Sequence, residues 1–67
     1  MTSVPSLKDI AIEDIQYITE TLNILEETIK KLYKHIDAYE YGRIEARISI
    51  TRQRIRFLSS LIKNLDI

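Results

Sequence analysis

Residues 36–44, IDAYEYGRI, join two apolar series that are out of phase with each other. Upstream, Ile15, Leu22, Ile29 and Ile36 fall seven apart, and Ile18, Leu25, Leu32 and Tyr39 interleave at the other heptad spacing. Writing the heptad as a to g, every a and d position over these residues is apolar, which is the signature of a helix packed along a coiled-coil seam. Downstream, Ile48, Ile55 and Ile62 take a, and Ile44, Thr51, Leu58 and Leu65 take d. Running the first frame onward would place Arg43 at a and Gln53 at d. The mismatch straddles Gly42, the only glycine, a residue suited to a helix C-terminus or a turn. The pattern predicts an all-α, coiled-coil-like antiparallel hairpin: helix 1 over about 7–40, a turn at about 40–43 and helix 2 over about 43–66. One long helix with a stutter is the alternative.

In an antiparallel pair, a on one helix faces d on the other. The expected layers are Ile36 with Ile44, Leu32 with Ile48, Ile29 with Thr51, Leu25 with Ile55, Leu22 with Leu58, Ile18 with Ile62 and Ile15 with Leu65. Helix 1 then overruns helix 2 by roughly two turns. Leu7, Ile10, Ala11 and Ile12 are left without a partner inside the hairpin. Ser6 followed by Asp9 resembles a capping box, which starts helix 1 near Leu7 and leaves residues 1–6 as a disordered N-terminus.

Sixty-seven residues make one domain at most. A chain this short buries only about 60% of its unfolded surface, so small scaffolds need a staple. Without cysteine there is no disulfide framework, and one histidine cannot build a histidine-rich metal site. Oligomerisation or a protein partner, completing a four-helix bundle, is the staple that remains. No metal, cofactor or small-molecule substrate is expected.

Ten basic and ten acidic residues cancel, so the chain lacks the global positive charge of a nucleic-acid binder. The distribution is uneven. Residues 7–29 hold six acids and one base, and residues 30–67 hold nine bases and four acids. No apolar run matches a membrane span, and no signal peptide is evident, so a cytoplasmic location without membrane contact is expected. Thirteen isoleucines, few Asn and Gln, no Cys and one Gly resemble thermophile usage, although an AT-rich genome gives the same isoleucine bias.

The c and g positions make one side of the hairpin dry. It gathers Ile10, Tyr17, Thr21, Ile24 and Thr28 from helix 1 with Ile50, Phe57 and Leu61 from helix 2. The other side is mostly polar. Exposed apolar patches of this size mark contact surfaces. Arginine and aromatic residues are enriched at interface hot spots. The expected protein interface is therefore Ile10, Tyr17, Ile24, Arg47, Ile50, Arg54, Phe57 and Leu61.

Catalysis finds no support: there is no phosphate loop, no zinc-protease motif and no Glu-x-x-His pair. Glu26 and Glu27 lie on different helix faces, and His35 reads as a histidine packing near the turn. Nucleic-acid contact through Arg43, Arg47, Arg52, Arg54 and Arg56 is the competing reading, with Phe57 or Tyr39 and Tyr41 available to stack on bases. Those arginines divide between faces, whereas a phosphate-binding stripe gathers on one. Arg52 is placed to reach Glu26 across the seam.

The layout resembles that of small helical-hairpin proteins that dimerise into four-helix bundles, among them plasmid copy-number regulators that bind RNA loops. It is also similar in architecture to compact helical accessory subunits of archaeal replication polymerases. No motif residue carries over from either. The dry face points to a non-enzymatic protein-interaction module, a small accessory or adaptor subunit that buries this face against a larger protein or itself, with nucleic-acid-processing machinery as a setting. A homodimeric nucleic-acid-binding bundle is the alternative.

Overall fold

The computed structural model describes residues 6–66. The N-terminal disorder expected from the sequence lies outside that range, except for Ser6, which has a structural task. Its side-chain oxygen accepts a hydrogen bond from the Asp9 backbone N–H at 3.1 Å and opens α1, Leu7–Leu32. Acids in the turns that follow suit the positive end of the helix dipole. A single 3₁₀ turn, Tyr33–His35, and two extended residues lead into α2, Ala38–Lys63. The two helices pack antiparallel into a hairpin.

The turn therefore lies at Tyr33–Asp37, not at residues 40–43. Ile36 (φ −116°, ψ 137°) and Asp37 (φ −54°, ψ 138°) redirect the chain in extended backbone that any residue adopts. No described residue has positive φ, so the reversal needs no glycine. Asp37 stands at the N-cap of α2, and its carbonyl accepts the Tyr41 N–H at 2.8 Å. The Tyr33 and Tyr41 rings meet edge to face at 6.1 Å and close this end of the hairpin. Gly42 sits inside α2, exposed, with open space where a Cβ would be. Glycine inside a helix costs about 0.5–1 kcal/mol relative to alanine. Gly42→Ala is accordingly expected to stabilise the fold by about that amount, read as a melting temperature raised by roughly 2–8 °C.

Moving the turn makes the helices equal in length, 26 residues each. Their far ends are level: Lys8 Nζ donates to the Leu65 carbonyl at 2.9 Å. Helix 1 does not overrun helix 2. Leu65 lies beside the first turn of α1 rather than opposite Ile15, and Ile15 shares a groove with Ile55, Ser59 and Ser60. Ala11 and Ile12, expected to be unpartnered, are half-buried. Leu7 and Ile10 remain exposed.

The seam is centred on the a positions but leans toward e, not d. Among the described residues only Ile15 and Ile48, at 8% and 6% exposure, are buried. Leu22, Ile29, Ile55 and Ile62 are half-buried around them. On the e edge, Thr19, Glu26, Arg52 and Ser59 are half-buried too. The d residues Ile18, Leu25, Leu32, Leu58 and Leu65 stay 43–48% exposed, and Thr51 is exposed as well. Side-chain size and charge account for this lean. Thr19 and Ser59 are small, so the helices can approach on that edge. Glu26 and Arg52 bridge it with a charge-assisted hydrogen bond of 2.7 Å. Bulkier d side chains are left facing outward on the opposite edge.

Candidate protein-interaction face

The rotated seam decides what the hairpin shows to solvent. Ile18, Leu25, Leu32, Leu58 and Leu65 were expected inside it and instead line the mouth of an open face. Beyond them on α1 come Ile10, Tyr17 and Ile24, and on α2 Ile50, Phe57 and Leu61, all exposed. Ile24 and Phe57 each keep 67% of their surface in water. The apolar surface is thus wider than the c and g positions alone indicate. Three threonines punctuate it. Thr21 donates its hydroxyl to the Tyr17 carbonyl, Thr28 to that of Ile24 and Thr51 to that of Arg47, at 3.0, 2.9 and 2.7 Å.

The arginines split by partner. Arg52 is held: its Nη2 and Nε both donate to Glu26 Oε2, at 2.7 and 3.2 Å. Arg43 pairs with Glu40 at 3.5 Å on an exposed helix surface, a contact of small energetic weight. Arg47, Arg54 and Arg56 are exposed and have no acidic partner within 4 Å among the described residues. Arg56 lies on the polar edge, in the groove with Thr19 and Glu20. Arg47 and Arg54 share the g position with Leu61, between the d and c rows of the open face.

The Glu26 clasp is the main electrostatic feature. The Arg52 hydrogen bond holds the Glu26 carboxyl below its usual value of 4.5, partial burial opposes this, and Lys30 at 3.4 Å adds to the lowering. Beside the turn, the neighbouring Glu45 carboxylate pushes the Tyr41 hydroxyl above its usual value. A carboxyl whose folded value is depressed stabilises the fold above its unfolded value of 4.5 and loses that contribution as pH falls through the folded value. Wild-type chain is therefore expected to lose more stability than Glu26→Gln between about pH 6 and pH 3, measured as urea unfolding midpoints. Parallel losses in the two proteins would show that the clasp carries no pH-dependent stability.

Among the described residues, no group of three or more His, Asp or Glu side chains is placed to hold a metal ion. No described helix is long and apolar enough to cross a membrane. His35 is exposed in the 3₁₀ turn. What remains is a small all-helical domain with an exposed apolar face of the kind protein-interaction modules carry. Comparison with protein-family models, with curated proteins and with solved structures finds no match for the chain.

Proposed function

We propose that the chain is a non-enzymatic protein-interaction module, a small accessory or adaptor subunit that works by burying its open face against another protein surface. One observation carries this reading: large apolar side chains from both helices, Ile24 and Phe57 foremost, stay in water on a single face. Full burial of a large apolar side chain is worth about 1.5–3 kcal/mol. Five of them amount to roughly the whole stability of a small domain, so a covering surface dominates the energetics. Arg47 and Arg54, set among these side chains at g, add the residue type in which interface hot spots are enriched. A setting within nucleic-acid-processing machinery belongs to the proposal through the free arginines of α2.

The second reading is a homodimeric bundle that binds nucleic acid directly through those arginines. It draws on Arg47, Arg54 and Arg56 having no acidic partner among the described residues. It is weakened by Arg52, whose guanidinium is already engaged with Glu26. The test of the leading reading is the double substitution Ile24→Asp, Phe57→Asp, with solution mass as the readout. Charge reversal at Arg54 and Arg56 tests the second: loss of a salt-sensitive interaction with DNA or RNA would favour it over protein association.

A further inference from the structure

We propose that the surface covering the open face is a second copy of this chain, related by a two-fold axis running along the helices. Both turns then lie at the same end of a four-helix bundle. The proposal rests on the open face being an interaction surface. Area and charge carry it further.

The Cα atoms span 53 × 23 × 9 Å, so the hairpin is one layer of helices thick. A stable core lies between two layers. A folded monomer of 7.9 kDa is expected to expose about 4,400 Å², and this one has an accessible surface of 5868 Å². The excess is roughly 1,000–1,500 Å² per chain, or about 2,000–3,000 Å² for a pair, which falls in the range of obligate homodimers. A second hairpin supplies the missing layer and an apolar face of matching length.

Charge selects the arrangement. α1 carries six acids (Asp9, Glu13, Asp14, Glu20, Glu26, Glu27) and three bases. α2 carries two acids (Glu40, Glu45) and six bases. Two hairpins can meet face to face under two-fold symmetry in two ways. An axis across the helices sets α1 on α1 and α2 on α2, like charge on like charge. It also places Arg47 near Arg54 of the second copy, because these two residues are equally far from the middle of α2. An axis along the helices sets α1 on α2 of the second copy. Every helix is then flanked by antiparallel neighbours of opposite net charge. The acids at the levels of Arg47 and Arg54 on that neighbour, Glu27 and Glu20, take f positions turned away from the open face, so the selection acts through the net charge of whole helices. Helix axes in a bundle lie about 10 Å apart, close to the screening length of about 8 Å, so the sign of the neighbour matters.

The chain has no cysteine, so a single spin label can be introduced cleanly. Lys34→Cys places it on an exposed turn residue. Dipolar spectroscopy, run beside sedimentation equilibrium at tens of micromolar, is expected to give a dimer mass and a label-to-label distance below about 30 Å. A dimer with a distance above about 40 Å, one helix length, would place the turns at opposite ends and overturn the arrangement. A monomer with no dipolar signal would overturn the second copy as the occupant. In that case, binding of a hydrophobic dye that Ile24→Asp, Phe57→Asp removes would keep the open face as a site for a different protein. No dye binding at all would sink that reading too. His35→Cys gives the same distance test from a second position, should Lys34→Cys disturb the turn.

Discussion

Replacing Ile24 and Phe57 together by aspartate is expected to abolish association. Both side chains are largely in water in the single hairpin, and neither is part of its seam. Exposed substitutions of this kind change the stability of the isolated chain by only about 0.5 kcal/mol. In a covered face the same carboxylates must leave water without partners, which costs several kcal/mol each. A loss of about 4 kcal/mol is roughly a thousandfold in the dissociation constant. Sedimentation equilibrium should therefore show a monomer at concentrations where wild type is associated. The unfolding midpoint of the variant should also stop depending on protein concentration, since self-association links the two. Asn23→Asp, away from the open face, serves as the control and should leave the mass unchanged. An unaltered assembly in the double variant would refute the assignment of this face.

Ile48→Ala should be the most damaging single truncation within the hairpin. Ile48 and Ile15 are the two buried side chains among the described residues, so removal leaves a cavity where the seam is most closely packed. Truncation of a buried isoleucine costs about 2–5 kcal/mol. For 67 residues, total stability is on the order of 3–10 kcal/mol, so this one change removes a large part of it. Ile50→Ala is the matched comparison: two residues away, it removes the same atoms from the open face, where Ile50 is 48% exposed. In a monomeric background such as Ile24→Asp, Phe57→Asp, urea unfolding should show a large loss for Ile48→Ala and a small one for Ile50→Ala. Equal losses would mean that the seam and the open face are not distinct surfaces.

The fold class was legible because a heptad pattern needs only the identity of residues along one helix. The start of α1 was legible for a similar reason, since Ser6 and Asp9 form a local hydrogen bond that no tertiary contact has to create. The turn was not read correctly. Ile36 and Tyr39 continue the apolar spacing past the real end of α1, and Gly42 drew the break toward itself. The signal nearest the true boundary is Asp37, a residue type common at helix N-caps, although here its side chain makes no capping hydrogen bond and only its carbonyl is engaged, by Tyr41 N–H. The edge on which the seam closes was not legible either. A heptad with apolar a positions permits closure toward d or toward e. The choice depends on the fit of Thr19 and Ser59 and on the Glu26–Arg52 pair, which are properties of two helices and not of one. That lean also exposed the d residues and widened the candidate face beyond Tyr17, Ile24, Ile50, Phe57 and Leu61.

The threonine hydroxyls of the open face bear on what kind of surface can meet it. Thr21, Thr28 and Thr51 each give their only donor to a carbonyl of their own helix. An incoming chain is therefore not asked to supply acceptors at these threonines, each of which offers it a methyl and an oxygen that can still accept. In composition the strip reads as mixed; in contact it is branched hydrocarbon interrupted on α2 by the charges of Arg47 and Arg54, set between the row of Leu58 and the row of Phe57. Recognition along most of the strip is then a matter of shape, and the choice among partners of similar shape falls to Arg47 and Arg54 within it.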